Sequence, residues 1–245
     1  MVMLPPVVTQ GPDMRVAIVE NTRITHHGQV GVALHEAGAR VEIFRPWADG
    51  RLPEVADGHE AIVVFGGEQS ALDDATHPYL PALARSMAGF SAADRAVLGI
   101  CLGSQVLARA FGGSNHLGTA PEFGWRTVER TESGRADPLL AEAPDAFPIF
   151  QWHSDTFTLP PTATRLATGD VAQNQAFRLG RATYGTQFHF EANRAVVADW
   201  THSFPEATER MSAGWASAHP SLAATLGAKA DRAGLQIARA WVGLI

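Results

Sequence analysis

Cysteine and lysine are nearly absent from this 245-residue chain: each occurs once, as Cys101 and Lys229. A single cysteine excludes an intramolecular disulfide and a thiol-rich zinc site within one chain. The other cations are all arginines and form no run, and 25 acidic residues outnumber 19 basic ones for a net charge of -6. A broad electrostatic footprint for nucleic acid is therefore not expected. The six tryptophans are dispersed rather than patterned for stacking bases. No apolar stretch approaches the roughly 20 residues of a membrane-spanning helix. The opening Met1-Val2-Met3-Leu4-Pro5-Pro6 lacks the basic flank and long apolar run of a signal peptide. These absences predict a soluble cytoplasmic protein that binds neither nucleic acid nor membrane.

Two further sites are missing. The adjacent His26-His27 could start a metal site, but no third ligand is spaced to join them, so no metal is predicted. Gly66 to Ser70 lacks the Gly-Lys-Ser/Thr ending of a phosphate-binding loop, and no other segment reads as an ATP site. No cofactor is expected.

What is present is a chain that can bury a core, 46% hydrophobic and only 18% charged. Its first half alternates β-branched runs with Ala/Leu-rich stretches. Arg15 to Val19, Arg40 to Phe44, Ala61 to Phe65 and Ala96 to Ile100 read as strands. Helices are expected at Gln29 to Ala37, ended by Gly38, at Tyr79 to Gly89 and at Ser104 to Phe111. Apolar strands separated by helices predict a three-layer α/β/α fold around a mostly parallel sheet. The second half offers short strands instead, at Trp125 to Arg130, Ile149 to Trp152, Arg165 to Thr168, Gln175 to Arg178 and Thr183 to Phe188. They predict antiparallel additions to the sheet. From Asn193 onward the chain reads as helix, with Ser221 to Gly243 capping the fold. One domain is expected over residues 1–245, with a core at about 15–200 and a helical extension at about 201–245 that is too short to hold a core of its own.

The chemistry concentrates in three segments. Gly99-Ile100-Cys101-Leu102-Gly103-Ser104-Gln105 runs from a buried strand into a helix through a tight turn, the device by which hydrolases present a nucleophile. The sulfur would lie at a helix N-terminus, where the macrodipole and free N–H groups favour a thiolate. The N–H of Leu102 would point toward a developing oxyanion. A lone cysteine is more often a small buried hydrophobe, and the flanking glycines could merely permit close packing. In Tyr184-Gly185-Thr186-Gln187-Phe188-His189-Phe190-Glu191, strand alternation would put His189 and Glu191 side by side with Phe188 and Phe190 in the core. A carboxylate beside an imidazole fixes its tautomer, although alone such a pair would read as an exposed strand edge. Together with an elbow cysteine it supplies base and orienter. Phe65-Gly66-Gly67-Glu68-Gln69-Ser70 ends a strand on the side where open α/β sheets bind ligands, so it should lie near Cys101. Its glycines would let a backbone N–H reach a substrate, though most such turns are only turns. His153 is also a candidate, set against the usual structural role of a loop histidine.

These segments, in this order and spacing, resemble the class I (triad) glutamine amidotransferases over about residues 15–200. The likeness is greatest to stand-alone bacterial proteins similar to the glutaminase domain of GMP synthase. Gln151-Trp152-His153-Ser154-Asp155-Thr156-Phe157 looks like that subgroup's glutamine-pocket loop. The resemblance implies a flavodoxin-like fold and a Cys101-His189-Glu191 triad. Cys101 would attack the side-chain amide of glutamine to give a γ-glutamyl thioester. His189 would act as base and then as acid to ammonia, with Glu191 holding it. Gly67 and Leu102 would form the oxyanion hole, and Gln105 would contact the amino-acid head group. Backbone around Trp152 and Ser154 would line the same pocket. Glu68, where many members have proline, puts a charge beside the oxyanion turn, and Ser104 replaces a variable position. Ammonia would pass to a separate synthase subunit, or the chain would work alone as a hydrolase; the helical segment Ser221 to Ile245 favours self-sufficiency. A γ-glutamyl hydrolase acting on a γ-glutamyl peptide or amine is the second reading. A non-catalytic binding or regulatory subunit is the third, and the intact triad residues argue against it.

Overall fold

The computed structural model describes residues 14–245. The opening segment read above for a signal peptide lies outside the described residues. In chain order the elements begin β1 (Arg15–Val19), α1 (Gly28–Glu36), β2 (Arg40–Phe44), α2 (Pro46–Asp49), β3 (Ala61–Val64), α3 (Leu80–Ala92), β4 (Ala96–Ile100) and α4 (Leu102–Ala110). The middle of the chain gives β5 (Asn115–His116), β6 (Glu122–Arg130), α5 (Glu132–Ala136), β7 (Ala146–His153), β8 (Thr156–Phe157), β9 (Thr164–Thr168), β10 (Ala176–Leu179) and β11 (Thr183–Thr186). Four helices follow: α6 (Arg194–Ser203), α7 (Pro205–Met211), α8 (Trp215–Leu222) and α9 (Ala228–Val242), the last two joined by a π-helical segment at Ala223–Gly227.

Nine strands form one sheet in the order β2-β1-β3-β4-β11-β10-β9-β6-β7. The five from β2 to β11 pair in parallel, and the remaining pairs are antiparallel. The expected parallel core with antiparallel additions is what the chain builds. Its strand order through the parallel part is that of flavodoxin-like folds.

Alternation along the strands explains the layers. Val16, Ile18, Val63 and Leu98 share one buried cluster with α1 and α9, whereas Ala17, Val19, Ile62 and Val97 share another with α3 and α4. Successive side chains point to opposite faces, so a strand apolar at every position needs helices on both. α9 meets this need by periodicity: Ala230, Ala233, Gly234, Ile237, Ala238 and Trp241 are buried along one stripe. The C-terminal extension thus contributes to the main core.

One expectation requires correction. β11 stops at Thr186, so His189 and Glu191 do not lie on a regular strand. The chain bends there, and His189 forms only an isolated antiparallel bridge to Phe150, with its N–H donating to the Phe150 carbonyl at 2.8 Å. Phe188 and Phe190 nevertheless enter the core, as expected. The reason lies in two helices that grip the backbone. The Gln29 N–H donates to the Glu191 carbonyl at 2.9 Å, and a Cβ on Gly28 would lie 1.9 Å from that oxygen. From the other side, a Cβ on Gly234 of α9 would lie 2.2 Å from the Phe190 carbonyl oxygen. Only glycine lets both helices approach so closely.

Gly234→Ala therefore reverses the usual sign of a helix-interior glycine replacement. Alanine normally stabilises a helix by about 1 kcal/mol. Here the added methyl must displace Phe190 or α9, with an expected loss of about 1–3 kcal/mol in denaturant unfolding. A raised unfolding midpoint would show that α9 does not press on this segment.

Candidate active site

Three strands that are neighbours in the sheet, β3, β4 and β11, bring the three segments together at their carboxyl ends. The Gly66-Gly67 turn follows β3, Cys101 follows β4, and His189 comes shortly after β11. Cys101 has φ +52° and ψ −109°, a conformation that costs an ordinary residue about 1–3 kcal/mol. What holds it there is packing of backbone on backbone. A Cβ on Gly99 would lie 2.4 Å from the Gly103 carbonyl oxygen, and one on Gly103 would lie 2.1 Å from the Val64 carbonyl oxygen. The Cys101 N–H donates to Thr186 at 2.8 Å, and its carbonyl accepts from the Ser104 hydroxyl at 2.7 Å. The elbow is present, and Ser104 secures it.

His189 Nδ1 lies 2.6 Å from Glu191 Oε1, and both side chains are buried. This is not the exposed strand-edge pair of the simpler reading. With Nδ1 engaged by Glu191, the other ring nitrogen is left for Cys101: a Cβ on Gly66 would lie 3.2 Å from His189 Cε1 and 3.5 Å from Cys101 Cβ, so both side chains flank the same turn. Burial pulls the imidazole pKa down. The charges of Glu191 and Cys101, with the hydrogen bond to Glu191, outweigh it and raise the value from 6.5 to about 10. The geometry therefore favours an imidazolium facing the sulfur.

The turn after β3 packs directly on the start of α4. A Cβ on Gly67 would lie 3.0 Å from Leu102 Cδ2, so the two residues are neighbours. Leu102 supplies the first N–H of α4, a group that a helix leaves without an internal acceptor. Glu68 is exposed and accepts from the Thr22 hydroxyl at 3.3 Å. The turn is braced instead by Gln69, which donates to the Asn21 carbonyl at 3.1 Å, and by Asn21, which donates to the Phe65 carbonyl at 2.8 Å.

An open cavity of about 570 Å³ contains Cys101, His189, Glu191, Gly67, Leu102 and Gln105 on its lining. Trp152 and Ser154 line it as well, so the eight residues predicted for the site reach one space. The Trp152 carbonyl lies 3.8 Å from Cys101 Sγ. Gln105 points its amide inward, donating to the Asp155 carbonyl and to Gln187 Oε1, each at 3.3 Å. His153 is buried, with Nδ1 2.9 Å from the Asp155 carbonyl oxygen and Nε2 3.3 Å from Glu122. Glu122 also accepts from Gln175, which accepts from Gln151, making a buried polar chain behind the pocket loop. His26 pairs with Asp199 at 2.8 Å, and His27 with Glu20 at 2.9 Å.

Sequence reasoning missed two features. Gln187, fully buried, donates from Nε2 to Cys101 Sγ at 3.7 Å; it stood inside the histidine segment without a signal of its own. The wall formed by Trp200 and Phe204 was also unforeseen, because nothing local marks a helix that folds back over a distant cysteine.

The family model for class I glutamine amidotransferase matches residues 27–196, more than half of the chain. The chain belongs to this family. Among curated relatives, the glutamine amidotransferase-like protein YfeJ of Salmonella typhimurium is 32% identical over 73% of this chain and 76% of its own. A glutamine-hydrolyzing GMP synthase subunit of Methanoregula boonei is 29% identical over 71% and 89%, respectively. Gamma-glutamyl peptidase 3 of Arabidopsis thaliana is 28% identical over 66% and 67%. Among the described residues of this amidotransferase-family chain, no helix is long and apolar enough to cross a membrane.

The raised pKa of His189 gives a direct test by nitrogen NMR of the histidine rings. Its resonance should titrate well above 6.5, and Glu191→Gln should bring the midpoint down by removing a charge that stabilises the imidazolium. A His189 midpoint at the ordinary value in the native chain would contradict the electrostatics described.

Proposed function

We propose that the chain hydrolyses the side-chain amide of glutamine through a γ-glutamyl thioester on Cys101, releasing glutamate and ammonia. The observation that carries this reading is a strained elbow cysteine that shares the Gly66 turn and one cavity with a histidine held by Glu191 at 2.6 Å. The Cys101 thiolate adds to the amide carbon, and the oxygen takes up negative charge between the N–H groups of Gly67 and Leu102. The C–N bond breaks as the His189 imidazolium protonates the leaving nitrogen. Water, deprotonated by His189, then cleaves the thioester and restores the thiol. Glu191 keeps the imidazole oriented throughout. Gln105 and the backbone around Trp152 and Ser154 bind the amino-acid part of the substrate.

Two routes are open to the ammonia. Membership of the family and the relative from GMP synthase support delivery to a separate synthase subunit. Cys101, His189, Glu191, Gly67 and Leu102 all line one cavity of this chain, which supports hydrolysis by the protein alone. The γ-glutamyl peptidase relative supports the second reading, in which the same thioester forms from another γ-glutamyl compound.

A glutamine-like diazoketone should place one label on Cys101, and purified protein should release ammonia from L-glutamine. Cys101→Ala should abolish both while changing stability by less than about 1 kcal/mol. Loss of several kcal/mol with no label on the native chain would return Cys101 to the status of a core residue. His189→Ala should lower kcat by about 100-fold or more, and Glu191→Gln by less, since the orienter moves no proton. Full activity in His189→Ala would remove the base. Should ammonia appear only when another protein from the cell's lysate is added, the self-sufficient route is excluded and the synthase route retained.

A further inference from the structure

The cavity around Cys101 is larger than free glutamine needs. At about 570 Å³ it falls in the roughly 300–1,000 Å³ range of pockets that enclose much larger ligands. The stereochemistry of the thioester step tells which part of a substrate the excess would hold. In the tetrahedral intermediate, the reacting carbon carries four substituents. Sulfur comes from Cys101. The oxyanion faces the N–H groups of Gly67 and Leu102. The nitrogen must face His189, which protonates it. The glutamyl chain takes the remaining direction, toward Gln105 and Ser154.

The substituent on the nitrogen therefore continues past His189, and the structure shows what lies there. The Trp200 ring stands edge-on to the His189 ring, 5.3 Å between centroids at 78°. Trp152 follows at 5.6 Å from Trp200, and Phe204 at 5.8 Å from Trp152, each in edge-to-face contact. All three line the cavity, as do Arg210 and Met211 of α7, Met211 accepting from the Ser154 hydroxyl at 3.9 Å. An ammonia leaving group offers these rings nothing to cover. An apolar or aromatic group on the nitrogen would cover the open parts of the half-buried Trp152 and Phe204 and meet the edge of the buried Trp200, and ring pairs in this geometry add about 0.5–1.5 kcal/mol beyond burial.

We propose that the site is built for γ-glutamyl amides whose amine carries an apolar, preferably aromatic, substituent, with glutamine a poor substrate by comparison. This rests on the Cys101 thioester reading and concerns only the leaving group. The thiolate forms the C–S bond, the C–N bond breaks, and His189 gives its proton to the departing amine. Water then releases glutamate and regenerates the thiol, so no further reactant is needed.

The test compares kcat/KM of the intact chain for L-glutamine, L-γ-glutamylbenzylamide and L-γ-glutamylglycine, alongside diazoketone labelling of Cys101. The benzylamide should exceed glutamine by about ten-fold or more, and γ-glutamylglycine should not exceed the benzylamide. Phe204→Ala should lower kcat/KM for the benzylamide several-fold more than for glutamine; Phe204→Leu, which keeps an apolar side chain, should recover part of the difference. Glutamine equal to or better than the benzylamide would overturn the proposal and leave the thioester reading intact. Preference for γ-glutamylglycine would also overturn it, pointing to a peptide leaving group. Equal losses on both substrates in Phe204→Ala would remove the aromatic wall from the assignment. Absence of label on Cys101 together with no turnover of any of the three would instead defeat the thioester reading itself.

Discussion

The active site of this chain depends on backbone atoms packed against backbone atoms where β4 turns into α4. Gly99 lies against Gly103, and Gly103 against the Val64 carbonyl of the next strand, with no room for a side chain at either position. That contact forces the abrupt change of direction and leaves Cys101 at positive φ. Strain of this kind survives only where neighbouring structure over-determines it. Here the fully buried strands β3 and β4 and the buried length of α4 do so. The sulfur is consequently held at the sheet's carboxyl edge, and Leu102, which opens α4, lines the same cavity.

The partner of Cys101 is held by a different route. The histidine segment has no ladder of strand hydrogen bonds beyond Thr186. It is fixed instead by single bonds from the Gln187 N–H to the Gln175 carbonyl and from the His189 N–H to the Phe150 carbonyl, and by two helices that approach through Gly28 and Gly234. α9 is thus part of what aims Glu191 at His189. The C-terminal helices serve the site twice, since α6 also carries Trp200 to the edge of the His189 ring. Residues 201–245 extend past the segment matched by the family model, and yet the geometry of the triad leans on them.

Electrostatics then sets the chemistry. A buried imidazole would ordinarily be kept neutral by the cost of desolvating its charge. Glu191 on one side and Cys101 on the other reverse that outcome. The same low-polarity surroundings that penalise a lone charge strengthen the attraction within the set. Burial and charge pairing are both required: an exposed trio at these separations would be weakly coupled.

Much of this was legible in the amino-acid order. Arg15–Val19 and Ala96–Ile100 have the bounds that their apolar runs mark, because a strand buried on both faces leaves an uninterrupted run; Arg40–Phe44 has its expected bounds too, although it is the largely exposed edge strand. The elbow was readable because glycines flanking a cysteine between a strand and a helix are a local signal. The nearness of the Gly66-Gly67 turn followed from a rule about strand ends. The histidine segment was half readable: alternation paired His189 with Glu191 and buried Phe188 and Phe190, but for a strand that ends at Thr186. Gln187 against the sulfur, the brace from Gly234 and the aromatic wall of Trp200 and Phe204 had no local trace. Each is a contact between residues far apart in the chain, and such contacts are decided by how helices seat on the sheet. The sequence by itself marked most of the sheet and the residues proposed as nucleophile and base; only the packed structure decided which side chains surround them, because the distances between elements are set by close packing.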